Sequence, residues 1–118
     1  MNDLSDAQLI EKAKAGDEDA LDVFLDRHRK DLLYYLWAET CNKEAAENLT
    51  QETLVKFYRK YRNIKENESA RTYLFRIAYR NFLDWTKKEA RRRGLAEMVP
   101  ILNSAEAEIY EGICEEDL

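Results

Sequence analysis

Apolar side chains return every three or four residues through most of this chain, and a polar cluster separates each run from the next. Leu9, Ile10 and Ala13 mark a short first helix. Ser5 with Gln8 three positions on has the form of a capping box, and Gly16 stands where such a helix stops. Asp17 opens a second helix, with Glu18 and Asp19 favourable against the unpaired amides of its first turn. Leu21, Phe24, Leu25, His28, Leu32, Tyr35 and Leu36 share one face of it. Cys41-Asn42 interrupts, and Asn42 is a good N-cap for a third helix running from about Lys43 to Arg62. Its inward positions are Ala46, Leu49, Thr53, Phe57 and Tyr61. The polar stretch 63–69 reads as a loop. Ser69 or Asn67 caps a fourth helix with the stripe Tyr73, Leu74, Ile77, Ala78, Asn81 and Trp85. It closes at Gly94, behind the cations Arg91, Arg92 and Arg93 that suit a helix C-terminus.

No segment alternates at period two, so the expected fold is all-α. It is a compact bundle of about four helices over residues 1–94, followed by an acidic tail or linker over 95–118. In the tail a short helix around Ser104 to Tyr110 and a mobile segment are both compatible with the pattern. Composition agrees: Gly 3 and Pro 1 in 118 residues cannot serve the turns of an all-β fold. No apolar run reaches the length of a membrane span, and the first residues are polar, without the form of a secretory signal. Cys41 and Cys114 lie far apart and share a single histidine between them. Neither a zinc site nor another cofactor is expected, and a cytoplasmic protein with free thiols is the plain reading.

The inventory for catalysis is thin. His28, the one histidine, falls in the apolar stripe of the second helix, where a hydrogen-bonded core or boundary histidine is the ordinary case. Glu47 and Glu52 stand about 140° apart around their helix and do not converge as an acid–base pair. Three glycines cannot build a phosphate-binding loop. An enzyme is not expected.

Charge is more informative. The net of −5 hides a partition: residues 1–26 carry −6, residues 27–95 carry +8 and residues 96–118 carry −7. Between Lys56 and Arg93 there are 13 basic against 4 acidic side chains, which points one face towards a polyanion. Aromatic residues interleave with these cations, as single-stranded nucleic acid requires: cations follow phosphates and rings stack on unpaired bases. Phe57, Tyr61, Tyr73, Ile77 and Trp85 lie on the inward stripes and belong mostly to the core. Tyr58, Arg62, Arg76 and Arg80 fall off the stripes and are better contact candidates.

Four segments carry a family resemblance. Ala46-Glu47-Asn48-Leu49-Thr50-Gln51-Glu52-Thr53-Leu54 resembles the third-helix segment of bacterial RNA polymerase sigma factors of the extracytoplasmic function (ECF) group. Tyr73-Leu74-Phe75-Arg76-Ile77-Ala78, followed by Asp84, is similar to their fourth-helix segment. Leu9-Ile10 with Ala15-Gly16-Asp17-Glu18-Asp19-Ala20-Leu21 looks like their opening, and Lys87-Lys88 with Arg91-Arg92-Arg93 like their basic close. The likeness covers roughly residues 4–93, the extent of sigma region 2.

The resemblance implies a domain that binds the clamp helices of the polymerase's largest subunit through Asn48, Gln51 and Glu52, with Leu49 and Leu54. It implies that the loop 63–69 and the start of the fourth helix hold the opened, single-stranded minus-ten promoter DNA, with one base flipped into a pocket of that loop. The positions carried over for DNA are Tyr73, Arg76, Arg80, Asn81, Lys87 and Lys88, with Arg59, Arg62 and Lys65 as further cations. An anti-sigma factor is a possible additional partner. The chain departs from the family at Asn48, where an acidic residue is usual, and at Tyr73, where tryptophan is usual. It departs again at Arg80, where the family commonly has asparagine; here the asparagine is the next residue, Asn81. No helix-turn-helix pattern follows Leu95, so the region that reads the minus-thirty-five element has no counterpart in these residues. A helical protein-interaction module, such as a decoy or a co-sigma subunit carrying region 2 alone, is the competing expectation, and charge reversal at Arg76 and Arg80 separates the two.

Overall fold

The computed structural model describes residues 3–95. Of the expected tail, residues 95–118, all but Leu95 lies outside the described residues, the expected short helix around 104–110 included. Four α-helices follow one another: α1 (Asp6–Lys14), α2 (Glu18–Thr40), α3 (Lys43–Lys60) and α4 (Ala70–Arg92). A single 3₁₀ turn, Tyr61–Asn63, follows α3, so the third helix ends two residues earlier as an α-helix than its periodicity predicts.

The helix ends form for the reasons their sequences suggest. Ser5 Oγ accepts from the Gln8 N–H at 3.2 Å and Gln8 Oε1 accepts from the Ser5 N–H at 2.8 Å, a reciprocal capping box. Asp17, Asn42 and Ser69 accept from the N–H groups of Ala20, Ala45 and Thr72 and so cap α2, α3 and α4. Gly16 (φ 110°) and Gly94 (φ 79°) supply the positive φ that lets α1 and α4 stop. Cys41 adopts the same left-handed region at φ 53° without being glycine, and its N–H donates to Trp37 O at 2.9 Å.

Helix α2 is the hub, packing on the other three helices. Every stripe residue of α2 named from periodicity is buried except Tyr35, which is half-buried. Phe24 and Phe57 stack at the centre, 5.1 Å apart and 17° from parallel, both without solvent exposure. Two such rings bury most of their area, and truncating either costs about 3–5 kcal/mol. Leu49 and Leu54, expected at a partner surface, are 3% and 6% exposed and belong to this core. The buried arc of α3 also takes in Thr50 and Thr53, because α3 is covered by both α2 and α4 and needs a wider apolar arc than one seam provides.

His28 is a boundary histidine with both ring nitrogens engaged. Asp6 Oδ2 lies 2.9 Å from Nε2, and the Arg71 guanidinium lies 2.8 Å from Nδ1. An arginine can only donate, so Nδ1 accepts and Nε2 carries the hydrogen that Asp6 receives. Arg27 on Asp6 at 2.9 Å and Asp31 on Arg71 at 3.2 Å extend the network across α1, α2 and α4. Among the described residues no helix is long and apolar enough to cross a membrane, and no cluster of His, Cys, Asp and Glu side chains could hold a metal ion.

Candidate nucleic-acid interface

The turn after α3 is fastened to α1. Tyr61 Oη donates to Ala13 O at 3.4 Å, Arg62 donates to Lys14 O at 3.1 Å, and Lys14 Nζ donates to Ile64 O. Lys14 O at the end of α1 is thereby satisfied by Arg62, and Ala13 O, which already accepts from the Gly16 N–H at 3.0 Å, gains a second donor. Arg62, a candidate for DNA, also lies over the Tyr61 ring at 5.2 Å and so works locally as a brace.

Three clefts lie along the described helices, and several of the candidate residues line them. The first, about 380 Å³, lies between α1 and the loop and includes Lys65. Its cations Lys14 and Lys65 face three carboxylates, Glu11, Glu66 and Glu68, so it offers no cationic surface. The second, about 220 Å³, lies between α3 and α4 and brings Asn48, Leu49, Glu52, Asn81 and Lys88 together with Lys56, Asp84 and Trp85. Here Lys56 and Lys88 balance Glu52 and Asp84. The third, about 130 Å³, continues that seam and is lined by Lys56, Lys60, Tyr73, Arg76, Ile77, Arg80 and Asn81. Among the described residues, four cations and no carboxylate line it.

The third cleft therefore brings together Tyr73, Arg76, Arg80 and Asn81 of the DNA candidates. It also recruits Lys56 and Lys60, two cations of the basic stretch that were not among the candidates. Both sit on the α3 flank facing α4, and the signal for them was their spacing of three to four from Thr53 and Phe57. Tyr73 is half-buried, with its ring edge-on to Phe57 at 6.2 Å and its hydroxyl donating to Lys60 O at 3.5 Å. One edge of this ring is wall and the rest borders the cleft.

The remaining expected residues are placed differently. Asn81 borders the third cleft but is 4% exposed, and both ends of its amide are engaged: it donates to Thr53 Oγ1 at 3.1 Å and accepts from Lys56 Nζ at 2.6 Å. Periodicity places it inside, and packing between α3 and α4 keeps it there. The side chain of Lys87 is 15% exposed, with its ammonium 3.8 Å from Asp84, outside the cationic cleft. Arg59 is exposed on α3 and lines none of the three clefts. The loop itself borders the cleft on the α1 side rather than the cationic one.

The outward face of α3 forms a second surface. Asn48, Gln51 and Glu52 are exposed on it, and Val55 joins them at 50% exposure. Val55 is three and four residues beyond Glu52 and Gln51, so it extends the same face. Its signal in the sequence was a β-branched apolar residue left outside the inward stripe. Tyr58, one turn further, is 44% exposed. Its hydroxyl pKa is raised chiefly by the charge of Glu18, then by desolvation and by Asp22, which places the acidic start of α2 beside this face.

Comparison with known proteins accords with this arrangement. The chain is 27% identical over 73 residues to RNA polymerase sigma factor YlaC of Bacillus subtilis (strain 168), an alignment covering 62% of this chain and 42% of that protein. It is 26% identical over 107 residues to RNA polymerase sigma-H factor of Pseudomonas aeruginosa, covering 91% of this chain and 53% of the relative. The chain thus spans about half the length of the curated relatives it matches. No solved structure matches it with significance. The family model for Sigma-70 region 2 matches residues 24–92, from the first third of α2 to the last residue of α4, and the chain belongs to that family.

Proposed function

We propose that this chain acts as a sigma region 2 of the ECF group. It docks on core RNA polymerase through the outward face of α3 and holds an opened minus-ten promoter strand along the seam of α3 and α4, within the cytoplasm. The observation that carries this reading is the cleft in which Lys56, Lys60, Arg76 and Arg80 converge beside Tyr73, with no carboxylate among the described residues that line it. A phosphate backbone is the ligand such a lining selects, and a half-exposed ring beside it suits an unstacked base. The protein supplies no covalent step. It captures separated strands, and the contacts offset the few kcal/mol that unstacking costs. An anti-sigma factor covering either surface would silence it.

The test is in vitro transcription and strand capture with core polymerase. The chain is expected to bind core polymerase and to retain a labelled non-template minus-ten strand. R76E/R80E is expected to keep polymerase binding while strand affinity falls about twentyfold at 0.1 M salt, as loss of two phosphate contacts requires. Absence of polymerase binding overturns the proposal. Unchanged strand capture by R76E/R80E favours the protein-interaction module instead.

A further inference from the structure

The second and third clefts share two residues, Lys56 and Asn81. Lys56 leaves α3 half-buried and reaches Asn81 Oδ1 on α4 at 2.6 Å. Beneath it, Asn81 Nδ2 donates to Thr53 Oγ1 at 3.1 Å, and Thr53 Oγ1 donates to Leu49 O at 2.7 Å. The order of this relay is fixed by its innermost member. The single hydroxyl hydrogen of Thr53 is committed to Leu49 O, so towards Asn81 the hydroxyl can only accept. The Asn81 NH2 group must therefore face inward, and its carbonyl oxygen must face outward, at Lys56. A flipped amide would set NH2 against ammonium and leave Thr53 facing an acceptor.

This buried asparagine thus presents one fixed acceptor at the mouth of the seam. An ammonium has three hydrogens, and Asn81 takes one. The others are held at the junction of the two clefts, on the border of the one that carries Lys60, Arg76 and Arg80. A lysine with a long flexible stem ordinarily loses entropy when it meets an anion. Here that ordering is done beforehand by a neutral partner, whereas a carboxylate in its place would pair with the charge; Glu52 and Asp84 share the second cleft with Lys56 and do not line the third.

We infer that Asn81 is a positioning residue, whose work is to hold the Lys56 ammonium ready for a phosphodiester oxygen of the captured strand. The inference rests on the proposed strand capture. It replaces base reading by Asn81 with indirect action through Lys56.

The experiment uses the full chain and a fluorescein-labelled single strand of twelve thymidines, titrated by anisotropy across a salt series. K56M is expected to lower affinity about fivefold at 0.1 M salt and to reduce the salt slope by about 0.7, the share of one phosphate. Asn81→Leu preserves shape, and because Thr53 still donates to Leu49 O, the fold is expected to persist by circular dichroism. Asn81→Leu is expected to weaken binding about twofold to fivefold, in the range set by that one contact. In the K56M background the same change is expected to do nothing, a dependence that a merely structural role would not show. If Asn81→Leu unfolds the chain, Asn81→Ala takes its place in the cycle. Additive effects of the two substitutions overturn the inference, as does a K56M chain with the slope of the original. When K56M binds like the original while R76E/R80E loses binding, the inference falls and strand capture stands. When neither variant changes binding, both fall.

Discussion

Cys41 is the non-glycine residue that the described chain holds at positive φ, where a Cβ crowds the backbone at a cost of roughly 1–2 kcal/mol. Its thiol makes only a distant contact, 3.9 Å to Ala38 O. Cys41→Gly is therefore expected to stabilise the fold by about 1 kcal/mol, seen as a melting temperature about 4 °C higher. A lower melting temperature would show that the side chain matters at this corner. Tyr35 offers a second test. Burial first, then the charges of Glu39 and Tyr79, hold its hydroxyl pKa well above the ordinary value of 10.0. An unfolded chain releases this proton near pH 10 while the folded chain keeps it, so stability falls as pH rises through and beyond that value. Urea midpoints measured from pH 8 to 11 are expected to decline less steeply for Tyr35→Phe. Equal slopes would show that Tyr35 does not contribute to the decline. At the far end of α4, the Glu89 carboxyl pKa is lowered mainly by the hydrogen bond from Arg92. It is a surface pair that ties down the last turn and is lost as pH falls through the carboxylate range.

Helix α3 shows most sharply what an element can do with two faces. Its inner arc packs on α2 and α4, its flank towards α4 supplies Lys56 and Lys60, and its outer face presents Gln51, Glu52 and Val55. Val55→Glu leaves the core untouched and is expected to change stability by less than about 0.5 kcal/mol. It is expected to weaken core-polymerase binding roughly tenfold while single-strand affinity stays the same, which pull-down and anisotropy check separately. Equal loss in both assays would argue against two independent surfaces. The same helix explains why the fold was easier to read than the site. Three-and-four spacing reports which side of a helix is covered, and it placed Leu49 and Asn81 inside. Resemblance assigned those two residues to partners, and the structure follows the spacing. Spacing put Lys56 on the flank towards α4, but the role proposed for it comes from an asparagine 25 positions away on another helix, which spacing does not report. Leu54 lies beside the stripe, and only the joint cover of α2 and α4 buries it.

Over the whole molecule, charge is sorted by position along the chain, and the fold turns that order into surfaces. The −6 of residues 1–26 and the +9 between Lys56 and Arg93 come from different helices, so a modest overall charge coexists with a cleft of one sign. If the chain works as proposed, salt is expected to weaken strand capture far more than docking through α3, where Val55 and Tyr58 add apolar area, and binding titrations across a salt series check this. The fastening of the post-α3 turn to α1 carries a consequence for how the molecule comes together. Tyr61 and Arg62 meet carbonyls 48 residues earlier in the chain. α1 is nine residues long, too short to persist alone in water. Neither partner is finished until the other arrives. The corner that starts the loop is thus set late, by a closing contact between the first helix and the end of the third, and a chain deprived of α1 would keep three long helices yet lose the anchor of that corner.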